Sequence, residues 1–99
     1  MMGRLSWTAI IALTMIVPAY AYKGSNLALL SKITIEQARA SALKAHPGTI
    51  TDEELERESG GSGLRYSFDI KAAGGTQEVG VDARTGRVLE NAKEGPNPD

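Results

Sequence analysis

The acidic residues between Asp52 and Glu58 are the densest group of side chains in this chain that could do chemistry. Five of these seven positions carry a carboxylate, and Arg57 is the one base among them. Carboxylates can coordinate a divalent cation or attract a basic protein, although their spacing here is not that of a calcium-binding loop. The alternative is a solvated strand edge whose charges prevent aggregation. The sequence leaves both interpretations open.

Five carboxylates are the candidate binding residues: Glu54, Glu56, Glu58, Asp69 and Asp82. Asp69 and Asp82 could act as a general acid and base only if the fold brought them together, and no feature of the sequence predicts that they converge. Asp82 immediately precedes a turn, where its carboxylate can accept hydrogen bonds from backbone amides. We therefore predict that Asp82 caps this turn.

No motif of an enzyme active site is present. His46 is the only histidine, and beside Pro47 at a predicted helix end its charged form would favour the helix dipole. Ser62 lies in the Gly60–Gly63 loop, which has neither the pattern of a nucleophile elbow nor that of a phosphate loop. Cysteine is absent, which excludes disulfides and thiol chemistry. We expect no catalysis, no cofactor and no metal site.

The first 21 residues have the three parts of an export signal. Arg4 supplies a basic start, an apolar run extends from Leu5 to Val17, and Ala19 and Ala21 fit the −3 and −1 positions of a signal-peptidase site. Because the run is shorter than the ~18 residues of a spanning helix, we expect cleavage after Ala21, with an uncleaved anchor as the alternative. The processed protein would then be periplasmic or secreted, without stable membrane insertion.

The processed chain has ten basic and twelve acidic residues, a formal charge of −2. This weakly acidic balance, without a basic stripe, argues against nucleic acid as a partner.

A helix is predicted over residues 35–46. Thr34 and Gln37 fit a capping box at its start, and Pro47 and Gly48 end it. Its apolar face consists of Ile35, Ala38, Ala42 and Ala45.

Apolar and polar side chains alternate from Leu64 to Lys71, and this period of two predicts a strand with one buried and one solvated face. The same pattern predicts strands at 77–83 and 87–90, and hence an antiparallel meander. Thr85 and Gly86 lie in the tight turn between these two strands, where Gly86 can adopt a positive φ.

Residues 49–59 are ambiguous. Thr51 and Glu54 imitate a capping box and favour a second helix. A strand over 55–58 would instead lead through the Gly60–Gly63 loop and pair directly with the next strand. We favour the strand, because tertiary pairing often overrides local propensity.

Five fragments together resemble the PepSY domain. They are ITIEQA at 33–38, PG at 47–48, ELE at 54–56, YSFDI at 66–70 and EVGVDARTGRVL at 78–89. The resemblance implies an α+β fold in which one N-terminal helix packs on a small antiparallel β-sheet, in the order α-β-β-β(-β). It also implies that residues 54–56 lie in the first strand. The chain would then divide into a signal peptide (1–21), a spacer (22–32), a PepSY-like domain (33–90) and a flexible tail (91–99).

The function implied by this resemblance is non-catalytic. PepSY domains occur in propeptides of secreted metallopeptidases and in bacterial envelope proteins, where they are proposed to restrain peptidase activity. The expected function is therefore an exported module that binds and restrains a peptidase or another envelope protein. The alternative is a ligand- or cation-sensing envelope domain linked to signalling. Because a domain of this size has a small core, a protein partner or a homodimer interface could add stability.

Overall fold

The computed structural model describes residues 22–95, in which one α-helix packs on a four-stranded antiparallel sheet. In chain order the elements are a 3₁₀ helix (Ser25–Leu30), α1 (Ile35–Ala45), β1 (Thr49–Arg57), β2 (Leu64–Ala72), β3 (Gly75–Asp82) and β4 (Val88–Lys93). The predicted α+β fold is confirmed. The predicted signal segment, with Ala19 and Ala21, lies outside the described residues, as does the end of the predicted tail after residue 95.

Helix α1 begins with a complete capping box. The Thr34 hydroxyl accepts the Gln37 amide at 3.1 Å, and the Gln37 side chain accepts the Thr34 amide at 2.9 Å. The helix ends at Ala45, one residue before the predicted end, and His46 is extended. This difference follows from Pro47, because proline disfavours the helical conformation of the residue before it.

Replacing Thr34 by alanine should lower the free energy of unfolding by about 1 kcal/mol, because the first turn of α1 loses a side-chain acceptor. Urea unfolding of residues 22–99 measures the change. Ser59→Ala, which removes an exposed loop hydroxyl, is the control and should leave the midpoint nearly unchanged. Equal midpoints for the two variants would show that the capping box adds nothing to stability.

The sheet is a simple meander with the order β1-β2-β3-β4, so β1 and β4 form its edges. Leu55, Tyr66 and Val81 share one register row across β1, β2 and β3, and all three are buried. The pairing of β1 with β2 excludes the second helix that the sequence allowed at 49–59. Strand β1 begins earlier than predicted, at Thr49, because this pairing overrides the helix propensity of its glutamates.

The helix covers one side of the sheet, over β2, β3 and β4. The side chains that β1, β2, β3 and the following turn bury on this side are Leu55, Leu64, Tyr66, Phe68, Ile70, Val79, Val81 and Ala83. Ile35, Ala38 and Ala42 of α1 are buried against the same core, whereas Ala45 is exposed.

Strand β4 is longer than predicted. The sequence places the last strand at 87–90 and a loose tail from Asn91 onward, but Asn91 and Lys93 pair with Val79 and Gln77 of β3. The polar composition of this segment concealed the strand, because an edge strand can have polar side chains on both faces.

Residues 22–33, which we call the N-terminal arm, pack against the domain, although the sequence suggested a spacer at 22–32. Tyr22 is 6% exposed and its ring lies edge-on to that of Tyr66, with centroids 6.4 Å apart. Burial, with Tyr66 close by, raises the pKa of Tyr22 to about 12. The Tyr66 hydroxyl donates to the Ile33 carbonyl at 3.0 Å. Within residues 22–95, no helix has the length and apolar character needed to cross a bilayer.

Candidate functional site

The side of the sheet opposite α1 has no secondary-structure element over it among the described residues, and we call it the open face. Side chains of alternate strand residues point to it, because successive residues of a strand face opposite ways. Its members are Asp52, Glu54 and Glu56 on β1, Arg65, Ser67, Asp69 and Lys71 on β2, Glu78, Gly80 and Asp82 on β3, and Glu90 on β4. Carboxylates therefore outnumber basic groups on this face.

Hydrogen bonds order the middle of the open face. The Ser67 hydroxyl donates to the Glu56 carboxylate at 2.9 Å. The Arg65 guanidinium lies 3.4 Å from the Glu90 carboxylate. Arg65 reaches Glu90 by crossing β3 at Gly80, where an added Cβ would lie 2.8 Å from Arg65 Cδ. The absence of a side chain at Gly80 thus permits this close approach.

Three carboxylates from different segments converge at one end of the open face. Asp69 and Glu78 are register partners on β2 and β3, and Glu94 follows β4, with its amide bound to the Thr76 carbonyl. Oxygens of Asp69, Glu78 and Glu94 all lie within 4.8 Å of one another, and the three residues are half-buried. Hard cations such as Ca²⁺ and Mg²⁺ prefer oxygen ligands of this kind. The acids of this cluster could hold such an ion, although the sequence predicted no metal site.

Glu54 lies between other acids on the open face. Partial burial, followed by the charge of Glu56, raises the pKa of Glu54 above its usual value. The Lys23 ammonium lies 3.8 Å from the Glu54 carboxylate and partly opposes this effect. The charged form of Glu54 is therefore disfavoured, and a basic partner would relieve that cost.

Asp82 belongs to the same face, but its carboxylate is hydrogen-bonded to the two adjoining loops. It accepts hydrogen bonds from the backbone amides of Ser62, Arg84 and Thr85 at 2.6–3.0 Å and from the Ser62 hydroxyl at 2.9 Å. Burial alone would raise the pKa of Asp82, but these four donors hold it well below its usual range. Asp82 thus ties the Gly60–Gly63 loop to the turn after β3.

The turn after β3 has further internal bonds. The Gly86 amide donates to the Asp82 carbonyl at 2.9 Å, and the Thr85 hydroxyl accepts the Arg87 amide at 3.2 Å. Gly86 has a φ of 81°, a conformation that favours glycine.

The five predicted binding residues do not form one site. Glu54, Glu56 and Asp69 share the open face, but Glu58 lies beyond the end of β1 and is exposed. Asp69 and Asp82 are separated on the sheet by four residue positions, about 13 Å along the strand direction. The His46 side chain has no hydrogen-bonded or ion-paired partner within residues 22–95.

The sequence did not predict several residues that the structure places at or near the open face. Glu78 alternates with the buried Val79 and Val81, so its placement on the open face could have been inferred from the strand pattern. Glu94 lies beyond the predicted last strand, and no signal in the sequence placed it beside Asp69. The ion pair of Arg39 with Glu53, with bonds of 2.8 and 2.7 Å, joins α1 to β1 and also had no sequence signal.

Comparison with known proteins identifies the family. Residues 32–91 match the family model described as PepSY, the peptidase propeptide and YPEB domain. No curated protein and no solved structure matches the chain. The matched segment covers more than half of the chain and includes α1 and nearly all of the sheet. The chain therefore belongs to the PepSY family.

Proposed function

We propose that this protein is an exported, non-catalytic binding module that restrains a peptidase or another envelope protein. The observation that carries the proposal is its membership of a family described by peptidase propeptides. A propeptide acts by covering another protein. The open face, with its excess of carboxylates, and the parts of the sheet edges that residues 22–95 leave unpaired supply surfaces for such contacts.

Export rests on the leader at residues 1–21, with cleavage after Ala21. The processed module would then begin at Tyr22 and work in the periplasm or outside the cell. Its weakly acidic charge favours a protein partner over nucleic acid.

Affinity capture from the exported fraction tests the proposal, with residues 22–99 as bait and an unrelated domain of equal size and charge as control. We expect enrichment of at least one exported peptidase over the control, and slower hydrolysis by that peptidase when the bait is added. A captured peptidase that hydrolyses at its full rate would contradict restraint. Enrichment equal to that of the control would contradict specific binding.

A second candidate function, sensing of a divalent cation, is favoured by the convergence of Asp69, Glu78 and Glu94. A cation that binds only the folded chain increases the free energy of unfolding by mass action, by about 2.7 kcal/mol when its concentration is a hundred times its dissociation constant. The midpoint of thermal unfolding rises accordingly. The test is thermal unfolding of residues 22–99 in millimolar Ca²⁺ or Mg²⁺. Sensing predicts a rise of several degrees that Glu78→Gln removes and that Glu36→Gln, an exposed helix substitution, leaves intact. An unchanged midpoint would rule out this candidate.

A further inference from the structure

Among residues 22–95, no strand or helix covers the outer edge of the first half of β1, Thr49–Glu53. Strand β1 is an edge strand of the sheet, and α1 packs over β2, β3 and β4 and reaches β1 through the Arg39–Glu53 ion pair. Within residues 22–95, the pairing on the outer side of β1 is an isolated bridge from Lys23 to Glu54. The Thr49–Glu53 edge therefore presents backbone groups to a strand from another molecule.

The arm pairs with β1 at one point just beyond this edge. The Leu55 amide donates to the Lys23 carbonyl at 2.9 Å, and Lys23 runs parallel to β1 there. After Lys23 the chain leaves the edge at Gly24, whose φ is 86° and where a Cβ would collide with the Leu55 carbonyl. Because Lys23 runs parallel to β1, this departure ends the pairing toward Glu56, and within residues 22–95 the arm makes no backbone hydrogen bond to Thr49–Glu53.

A cavity of about 490 Å³ lies beside the same edge, between the arm, α1 and β1. Tyr22 and Ile50 give it apolar walls, and the rest of its lining is polar: Arg39 and Glu53 form a bidentate ion pair, with Lys23, Thr51 and Asp52 beside them. An apolar side chain of a bound segment would pack against Tyr22 and Ile50. A strand added at the edge would point every second side chain into this cavity.

The other row of side chains on an added strand would point toward the open face. There the nearest residues of β1 are Asp52 and Glu54, whose carboxylates lie on the same side two residues apart. Lys23 already contacts Glu54 at 3.8 Å, so a basic side chain of the added strand would mainly complement Asp52, and an acidic one would be repelled.

We propose that Thr49–Glu53 binds an extended segment of the partner protein in which apolar and basic side chains alternate, by adding it to the sheet as a fifth strand. The apolar row fills the cavity beside Tyr22, and the basic row mainly complements Asp52. This inference rests on the proposed function and deepens it, since it names the surface and the kind of segment bound.

The test uses a labelled peptide of about eight residues that alternates lysine and valine, a length typical of a strand, and measures its binding to residues 22–99 by fluorescence anisotropy. A peptide of the same composition with its lysines grouped together is the control. We expect the alternating peptide to bind about tenfold more tightly than the control. Equal affinities would show charge attraction without strand addition and would overturn the proposal.

Two N-methylated peptides test the backbone pairing without changing the protein. In an added strand, the amides of one alternate set face β1 and those of the other face solvent. Methylation of the valine amides or of the lysine amides should therefore abolish binding in one case and leave it intact in the other. Equal effects of the two methylations would contradict strand addition.

Protein variants locate the edge. Asp52→Lys should weaken binding of the alternating peptide about tenfold, whereas Glu58→Lys makes the same charge change at an exposed residue beyond the other end of β1 and should have a small effect. Equal losses would overturn the assignment to Thr49–Glu53. Self-association of the chain that Asp52→Lys abolishes, with no peptide binding, would make a second copy the occupant and would also overturn it.

The outcome separates this inference from the proposed function. If the Asp52→Lys variant still restrains a captured peptidase, the proposed binding at Thr49–Glu53 is refuted and the proposed function stands. Peptide binding at the edge with no peptidase restrained would refute the proposed function and leave the edge as a binding surface.

Discussion

Replacing Asp82 by asparagine should lower the free energy of unfolding by about 3–4 kcal/mol. The Asp82 carboxylate is fully buried and accepts four hydrogen bonds, three of them from backbone amides. An asparagine has one acceptor oxygen in place of two, so amides of Ser62 or of the turn after β3 would be left without a partner. Each hydrogen bond to a charged group contributes about 1.5–3 kcal/mol.

Urea unfolding of residues 22–99 measures this loss, with Asp52→Asn as the matched control. Asp52→Asn is the same chemical change at an exposed position of the same sheet face. It should change the free energy of unfolding by no more than about 0.5 kcal/mol. A loss for Asp82→Asn as small as that for Asp52→Asn would contradict the role of Asp82 in joining the two loops.

The stabilisation by Asp82 should also depend on pH. The folded state holds the pKa of Asp82 below the unfolded value of about 3.9. The contribution is therefore complete above that value and is lost as the pH falls below it toward the folded pKa. The unfolding midpoint of the native chain should decrease in this acid range, and the decrease should be smaller in Asp82→Asn. Parallel pH curves for the two proteins would contradict this assignment.

Replacing Tyr22 by alanine should cost about 3–4 kcal/mol, the range for truncating a large buried aromatic side chain. Tyr22 is 6% exposed and its ring contacts that of Tyr66 in the core. Its removal would leave a cavity beneath the arm, and the loss would be measured by thermal unfolding.

Leu29 provides the matched control for Tyr22. It also belongs to the arm and is also a large apolar residue, but it is 96% exposed, so Leu29→Ala should leave the midpoint nearly unchanged. If Tyr22→Ala unfolds at the same temperature as Leu29→Ala, the arm is a spacer after all. The predicted result would instead make Tyr22 part of the folded unit, ahead of the family match that begins at residue 32.

Much of the fold could be predicted from local patterns. The alternation in Leu64–Lys71 identified β2 and its buried face, and the signals at Thr34 and Pro47 located the ends of α1 within one residue. These features depend on neighbouring residues alone. Burial of Tyr22 depends on contact with Tyr66, which is distant in sequence, so the composition of the arm could not reveal it.

The candidate site was harder to predict, because it depends on register. Ile50, Asp52 and Glu54 are two residues apart and would share one face of a regular strand. A bulge between Ile50 and Asp52 instead pairs Ile50 with the buried Ile70 and leaves the acids on the open face. No residue type in the segment predicts the bulge.

Inhibition assays are the decisive test of the proposed restraint of a peptidase. Hydrolysis by exported peptidases would be measured while folded residues 22–99 are titrated into each assay. We expect a saturable decrease in the rate of at least one peptidase, with no cleavage of the added chain. Unchanged rates for every peptidase of the exported fraction would contradict it.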